Sequence, residues 1–205
     1  MSQRIYTRTG DRGESGLFNN LRLQKSHVVF DALGDVDELN AKLGTVRLRL
    51  LEDEDNARFE HMIREIQSRL IDIGSSVATP RDATRSRAKL KRTTFDQEHV
   101  DQLESFIDSL VLPKLTKFIL PSGGKRATAF HEARTVCRRA ERAVIRAKGE
   151  FELEDTVMSY LNRLSDLLFM CARFFSNKDG FPEHAYRKPI QGRVRRSSKE
   201  CEVDV

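Results

Sequence analysis

The 205-residue sequence predicts an all-α fold, a five-helix antiparallel bundle, and three observations lead to this prediction. Five segments repeat apolar residues at steps of three and four, which places each set on one side of a helix. The connections are short and none reads as a convincing strand, so consecutive helices are expected to run antiparallel. The composition agrees, because 39% hydrophobic and 33% charged residues are typical of amphipathic helices with polar outer faces.

The first two predicted helices carry long apolar stripes. These residues are Val29, Leu33, Val36, Leu39, Leu43, Val46 and Leu50 in the first helix, and Phe59, Ile63, Ile66, Leu70, Ile73 and Val77 in the second. A polar stretch over residues 79–94 then interrupts the pattern. Asp96 is the expected N-cap of the third helix, and Pro113 is expected to end it.

The remaining three helices follow the same rule. Their stripes are Val100, Leu103, Ile107 and Leu110; then Phe130, Ala133, Cys137, Ala140 and Val144; then Val157, Leu161, Leu164, Leu168, Cys171 and Phe175. The fourth helix should stop near Gly149. We therefore predict one helical-bundle domain over residues 1–180 and a basic, disordered tail over residues 181–205.

Charge and cysteine content narrow the functional classes. Residues 81–92 carry a net charge of +5 and residues 187–205 a net charge of +3, which leaves −3 on the rest of a chain whose total is +5. Charge confined to a loop and a tail is typical of solvated segments, so we expect no nucleic-acid partner. Three cysteines without C-x-x-C spacing argue against a zinc site and favour a reducing, intracellular compartment. No run of 18 apolar residues and no hydrophobic signal core occurs, so neither a membrane partner nor export is expected.

The N-terminal segment TRTGDRG, residues 7–13, is the most informative stretch of the chain. Its glycines can turn backbone N–H groups onto phosphate oxygens, its hydroxyls and arginines add donors, and its aspartate can hold Mg²⁺ or brace the arginines. The segment fits neither the G-x-x-x-x-G-K-[ST] motif nor G-x-G-x-x-G. We interpret it as a glycine-rich nucleotide loop, and the alternative is a solvated Gly-Asp turn.

Polar residues also adjoin the apolar stripes of three predicted helices. They are Arg134, Arg138 and Glu141 on the fourth helix, Asn162 and Asp166 on the fifth, and Asp37 and Asn40 on the first. Spacings of three and four place the members of each set on one face. A solvated face or interhelix ion pairs would explain any one set alone, whereas three sets beside an anion loop favour a nucleotide site.

Five separated blocks, in order, give the chain a family resemblance over residues 4–176. They are TRTGDRG at 7–13, GDVDELN at 34–40, FILPSGG at 118–124, RTVCRRAER at 134–142 and YLNRLSD at 160–166. These blocks resemble the ATP:cob(I)alamin adenosyltransferases of the propanediol-utilisation type. The resemblance implies a five-helix bundle, a homotrimer with ATP at the subunit interfaces, and transfer of the adenosyl group of ATP to the cobalt of cob(I)alamin with release of triphosphate.

The resemblance also implies roles for particular residues. The ATP-binding residues would be Thr7, Arg8, Thr9, Gly10, Arg12, Gly13, Arg22, Lys25, Arg138, Glu141 and Asn162, with Glu141 as the Mg²⁺ ligand. The catalytic set would be Phe118, Arg138, Asp37 and Arg134. Asp37 and Arg134 would pair across the subunit boundary, and Phe118 would cover the lower face of the corrinoid, although a loop anchor packed on the bundle is the other interpretation of Phe118.

The chain departs from the family pattern in two places. Arg8 and Arg12 stand where lysines are usual, and arginine keeps the charge but differs in reach and geometry. Residues 19–21, Asn-Asn-Leu, replace a common Gly-Gly-Glu, which argues against a role for them in holding metal or nucleotide.

Two functions from other classes remain open at the level of sequence. One is a helical nucleic-acid-binding module that uses residues 81–92, and the other is a non-catalytic carrier that delivers adenosylcobalamin to a mutase. The resemblance further implies a cobalamin reductase and an adenosylcobalamin-dependent mutase as partners. It implies the mitochondrial matrix in a eukaryote and the cytoplasm in a bacterium.

Overall fold

A computed structural model describes residue 6 and residues 8–188, and it confirms the all-α bundle. Its helices are α1 (Val28–Leu50), α2 (Ala57–Val77), α3 (Arg87–Arg92), α4 (Glu98–Asp108), α5 (Gly124–Lys148) and α6 (Asp155–Lys178). Five of the six correspond to the predicted helices. The additional helix, α3, has about one and a half turns and lies inside the predicted polar stretch. Thr7, Cys201 and the predicted tail beyond residue 188 lie outside the described residues.

The core lies where α1, α5 and α6 meet. Ion pairs of α1 with α5 join Asp35 to Arg139 and Lys42 to Glu132, so these two helices run antiparallel. Small side chains of α5, such as Ala133 and Ala140, are fully buried and let neighbouring helices approach closely. The predicted stripes supply most of the buried apolar residues, so helical periodicity located the core correctly.

The structure corrects the expectation that the chain has no strand. Two three-residue strands, β1 (Glu14–Gly16) and β2 (Arg22–Gln24), form an antiparallel hairpin ahead of α1. Asn20 turns the chain at the tip of this hairpin with φ 74°, a conformation that asparagine tolerates better than most residues. So short a hairpin escapes a periodicity analysis, because three residues cannot display an alternation.

The N-cap predicted for the third helix is also wrong. Helix α4 is preceded by Gln97, whose side chain makes no capping hydrogen bond, and Asp96 contributes only a backbone carbonyl to His99 N at 3.3 Å. The carboxylate of Glu154 accepts a hydrogen bond from Phe95 N at 2.7 Å instead. A residue distant in sequence thus fixes the backbone before α4, which local sequence rules cannot foresee.

The basic segment of residues 81–92 contains α3 and is tied to the rest of the fold, although most of its basic side chains are exposed. Arg81 pairs with Glu154 and donates to Leu90 O at 3.0 Å. Lys89 Nζ donates to Phe18 O at 2.7 Å and lies 5.2 Å from the centre of the Phe18 ring. Two of its six basic side chains are therefore used to hold the β1–β2 hairpin and α6 to this segment.

Residues 181–188, which the sequence assigns to the tail, run beside residues 118–120. Leu120 N donates to His184 O at 2.8 Å, and Tyr186 N donates to Phe118 O at 2.7 Å. Both segments lie at the end of the bundle where α5 begins and α6 ends. Over the described residues, the helices lack the combination of length and hydropathy that crossing a membrane requires.

Candidate active site

The N-terminal loop rests on the β1–β2 hairpin, which brings two further cations to it. Arg22 Nη2 donates to Thr9 O at 3.1 Å. The side chain of Lys25 passes so close to Gly10 that a Cβ atom at position 10 would lie 3.1 Å from Lys25 Nζ. Backbone hydrogen bonds from Lys25 N to Gly13 O at 2.7 Å and from Gly13 N to Gly10 O at 3.3 Å close the turn. The structure thus places five of the predicted ATP-binding residues together.

The loop leaves its arginines available to an anion. Arg8 has φ 57° and its guanidinium lies 5.5 Å from the centre of the Tyr6 ring, while Arg12 is exposed. Arg22 also faces a carboxylate, since its Nε lies 3.5 Å from Glu14 Oε2. Arg8, Arg12, Arg22 and Lys25 outnumber the nearby acids Asp11 and Glu14. This surface therefore favours a polyanion such as triphosphate.

Residues 19–21 have a structural role. Asn19 Nδ2 donates to Ala83 O and to Thr84 Oγ1, both at 3.2 Å, and Asn19 Oδ1 accepts from Leu21 N at 2.9 Å. The asparagine therefore joins the hairpin tip to the segment before α3. These contacts give Asn19 a role in the packing of the hairpin.

The polar residues of α5 and α6 form one continuous face. Glu141 Oε1 accepts a hydrogen bond from Asn162 Nδ2 at 3.0 Å, which links the two helices. Arg138 lies one turn from Arg134 and is exposed. The guanidinium of Arg134 stands 5.7 Å from the centre of the Phe169 ring, and its Nε is buried with no hydrogen-bond partner among the described residues.

Cys137 lies immediately under this face. Its Sγ donates to Leu161 O at 3.3 Å. Burial raises the pKa of the Cys137 thiol, and the negative charge of Glu141 raises it further. The thiol therefore stays protonated at neutral pH and serves as packing, not as a nucleophile.

The structure separates the polar residues of α1 into two groups. Asn40 forms a reciprocal pair with Gln67 of α2, through Asn40 Nδ2 to Gln67 O at 3.1 Å and Gln67 Nε2 to Asn40 O at 3.0 Å, so its amide groups are engaged within the bundle. Asp37 is exposed, and within the described part of the chain it forms no ion pair. Helix α1 is instead tied to α5 by Arg139, whose Nε lies 3.1 Å from Asp35 Oδ1 and which also pairs with Glu38.

Arg139 is a residue of this site that periodicity and spacing do not distinguish from its neighbours. The only signal was its place between Arg138 and Ala140 in the fourth block, and the identity of its partners on α1 is a property of the folded chain. The two interhelix acids raise the pKa of its guanidinium, with the Glu38 hydrogen bond as the main cause.

Phe118 projects from the bundle. It is 85% exposed, and among the described residues its ring makes no aromatic or cation–π contact. The turn that follows is built from glycines in the left-handed region, with φ 116° at Gly123 and 83° at Gly124. A Cβ atom at Gly124 would lie 2.8 Å from Phe181 Cδ2, so this turn needs glycine for space as well as for conformation.

The N-terminal loop and Phe118 belong to opposite ends of one protomer. The loop and hairpin precede the N-terminus of α1, which lies beside the C-terminal half of α5 because α1 and α5 are antiparallel. Phe118 precedes the N-terminus of α5, and the 25 residues of α5 span about 36 Å at 1.5 Å per residue. A reaction that uses both regions requires a second copy of the chain or a large ligand.

The donor set around Glu141 suits Mg²⁺ held mainly by a substrate. Mg²⁺ prefers oxygen ligands and commonly takes one or two carboxylates plus phosphate oxygens and water. Glu141 and Asn162 supply a carboxylate and an amide. Over the described residues, His, Cys, Asp and Glu form no group of three or more that could hold a metal by itself.

Comparisons with known proteins identify the family to which the chain belongs. The sequence profile of the family described as cobalamin adenosyltransferase matches residues 5–175. The corrinoid adenosyltransferase MMAB of Bos taurus is 44% identical over 187 residues, which cover 90% of this chain and 76% of that protein. The corrinoid adenosyltransferase of Bacillus subtilis is 39% identical over 202 residues, which cover 96% of this chain and 99% of that protein.

Solved structures extend the comparison to three dimensions. A phenylalanine-to-alanine variant of the PduO-type ATP:corrinoid adenosyltransferase of Lactobacillus reuteri, complexed with cobalamin and ATP, matches with a TM-score of 0.82 and 34% identity. The match covers 90% of this chain and all of that one. An arginine-to-lysine variant of the enzyme from that organism, complexed with ATP, matches with a TM-score of 0.79 over 89% of this chain and all of the other.

Proposed function

This chain belongs to the cobalamin adenosyltransferase family, and from that premise we propose how its residues divide the work of the reaction. The protein is a transferase that moves the adenosyl group of ATP to the cobalt of cob(I)alamin and gives adenosylcobalamin and triphosphate. The match of the family profile over residues 5–175, which takes in every described residue of the candidate site, carries this conclusion.

The reaction needs placement and charge more than acid–base chemistry. Cob(I)alamin is itself a strong nucleophile, so the reactive centre is supplied by this substrate and not by a protein side chain. Its cobalt forms a bond to ribose C5′ as the bond from C5′ to the triphosphate oxygen breaks. The protein must hold the two reactants in line and stabilise the leaving triphosphate.

We propose that the N-terminal loop and the α5–α6 face bind ATP together. The backbone N–H group of Gly10 and the side chains of Thr7 and Thr9 would contact the phosphates, Gly13 would shape the turn, and four cations would neutralise the phosphates. These cations are Arg8, Arg12, Arg22 and Lys25. The guanidinium of Arg138 would donate two hydrogen bonds to the leaving triphosphate. Glu141 and Asn162 would hold Mg²⁺ and the nucleoside. The ion, when bound, supplies positive charge to the phosphates.

We propose a homotrimer in which neighbouring protomers complete each site. The separation of Phe118 from the N-terminal loop along α5 supports this assembly. Two polar side chains that lack a partner for one of their charged or hydrogen-bonding groups also support it. Asp37 is exposed without an ion pair in the described chain, and Arg134 Nε is buried without a hydrogen-bond partner there. A pair between Asp37 of one subunit and Arg134 of the next would satisfy both groups.

We propose that Phe118 covers the lower face of the corrinoid. An apolar ring offers the cobalt no ligand, so water and the lower base would be excluded and the four-coordinate state favoured. The 85% exposure of Phe118 supports this role over that of a loop anchor, because an anchor would be buried.

Residues 1–180 would form the catalytic domain in this scheme. A cobalamin reductase and an adenosylcobalamin-dependent mutase would be the protein partners. The location would be the mitochondrial matrix in a eukaryote or the cytoplasm in a bacterium.

The test is anaerobic turnover of chemically reduced cobalamin with ATP and Mg²⁺, followed by absorbance and product analysis. The proposal expects adenosylcobalamin and intact triphosphate. Tight binding of cobalamin without a Co–C bond would instead support the carrier function. The site assignment is tested by Arg138→Lys, which should lower kcat/KM about 10- to 100-fold, because one charge-assisted hydrogen bond is worth about 1.5–3 kcal/mol.

Arg146→Lys is the matched control for Arg138→Lys. Arg146 is exposed on the same helix two turns further along, and its replacement should leave kcat/KM unchanged. Equal activity of the Arg138 and Arg146 variants would assign Arg138 to the protein surface and not to the substrate.

A further inference from the structure

Two short segments meet at the end of the bundle that carries Phe118. We call residues 181–188 the strap and residues 112–122 the Phe118 loop. They join as an antiparallel bridge at Ile119 and Ala185, flanked by the hydrogen bonds from Leu120 N to His184 O and from Tyr186 N to Phe118 O. The carbonyl group of Phe118 itself is therefore held by the strap, while its ring stays exposed.

One buried arginine of α6 holds both segments. Arg173 Nε donates to Glu183 Oε1 at 2.7 Å and its Nη2 donates to Glu183 Oε2 at 3.3 Å, so the pair is bidentate. Arg173 Nη2 also donates to the carbonyl of Pro113 at 2.9 Å. A single guanidinium thus connects the beginning of the Phe118 loop, the strap and the helix.

The environment of the ion pair makes it the strongest tie in this region. The side chain of Arg173 is only 6% exposed and that of Glu183 is 30% exposed, whereas the residues of the strap lie at the surface. Exposed backbone hydrogen bonds compete with water and contribute little, but loss of the Glu183 carboxylate leaves the buried guanidinium of Arg173 without a compensating charge. The position of the strap therefore depends on Arg173 and Glu183 more than on the bridge.

We propose that the Arg173–Glu183 pair is a positioning device for the corrinoid side of the reaction, an inference that rests on the proposed role of Phe118. The pair fixes the strap, the strap fixes the carbonyl group of Phe118, and the backbone of Phe118 sets the direction of its ring. Neither Arg173 nor Glu183 touches the reacting atoms. Their effect reaches the cobalt only through Phe118.

The first test is Glu183→Gln, with Glu65→Gln, an exposed acid of α2, as the control. Glu183→Gln should lower the fraction of four-coordinate cob(II)alamin formed with ATP. With cob(II)alamin and an added one-electron chemical reductant, it should also lower kcat at least 10-fold, with the KM for ATP changed less than twofold. A double-mutant cycle with Phe118→Ala should be non-additive, since both changes act through one ring. A normal four-coordinate spectrum in folded Glu183→Gln, or full additivity, overturns the proposal.

A second pair of variants leaves the buried ion pair intact. Tyr186→Pro removes the N–H group that donates to Phe118 O, whereas Tyr186→Ala keeps it. The proline variant alone should reproduce the loss of the four-coordinate spectrum, and equal spectra for the two variants contradict the proposal. If the wild-type protein forms no adenosylcobalamin, the proposed function fails; if it does and the strap variants match it, only this inference fails.

Discussion

Gly123→Ala should destabilise the protein because the turn before α5 excludes a side chain in two ways. Gly123 has φ 116°, a region that costs a non-glycine residue about 1–3 kcal/mol. An added Cβ atom would lie 2.7 Å from Ser176 Cβ and closer still to Ser176 Oγ, well inside the usual 3.5–4.0 Å separation of carbon atoms. Such overpacking typically costs a further ~1–3 kcal/mol.

Together these terms predict a loss of about 2–6 kcal/mol in the free energy of unfolding. For a chain of this size, 1 kcal/mol lowers Tm by roughly 2–4 °C, so Tm should fall by roughly 4–24 °C. The measurement is thermal unfolding by circular dichroism at a fixed protein concentration, since assembly would make Tm depend on concentration.

Two further variants separate the causes. Gly74→Ala is the matched control, because Gly74 lies inside α2 with nothing within 4 Å of an added Cβ atom, and helix propensity predicts a gain of about 0.5–1 kcal/mol. Adding Ser176→Gly to Gly123→Ala removes the atoms that lie closest to the new Cβ atom. In a double-mutant cycle, the double variant should therefore regain the stability lost to the steric clash, but not the stability lost to the backbone conformation of residue 123. A Tm of Gly123→Ala within 2 °C of the wild-type value would refute the reasoning.

Three other outcomes are expected. Glu154→Gln should lower the free energy of unfolding by about 2 kcal/mol in urea titrations, because its carboxylate pairs with Arg81 and accepts a hydrogen bond from Phe95 N at 2.7 Å; an unchanged midpoint would contradict this. Burial lowers the pKa of His131, and so does the nearby charge of Arg134. The unfolded state therefore binds the proton more tightly, and stability should fall as pH drops below about 6.5. Compared with the His131→Gln variant, the wild-type protein should lose at most about 2 kcal/mol of its free energy of unfolding between neutral pH and pH 5. Free energies of unfolding that change in parallel with pH in the two proteins would count against this prediction. Burial also raises the pKa of the thiols of Cys137 and Cys171. A Cys201→Ser variant should therefore react with a disulfide reagent only after denaturation, and rapid labelling of the native variant would disprove it.

Helical periodicity was sufficient to predict most of the fold. The stripe from Val29 to Leu50 became the buried side of α1, and Gly149 follows the end of α5 as expected. A long amphipathic helix repeats its apolar residues over several turns, so the periodicity can be recognised in a single sequence. The hairpin was missed because three-residue strands carry no such repetition, and Asp96 was assigned as a cap because the competing acceptor, Glu154, is 58 residues away in sequence.

The sequence by itself determined which groups are available for the candidate site. These groups are local features of the sequence: the glycines and cations of residues 7–13, the spacing of Arg138 and Glu141, and the FILPSGG turn. Their chemistry can be interpreted from neighbouring residues alone. Their partners were decided by the tertiary structure alone. Helix packing placed Asn162 against Glu141, paired Asn40 with Gln67, and buried Arg173 beside Glu183. Those pairings depend on how helices distant in sequence cross and rotate, a property set by the whole core and not by any one segment.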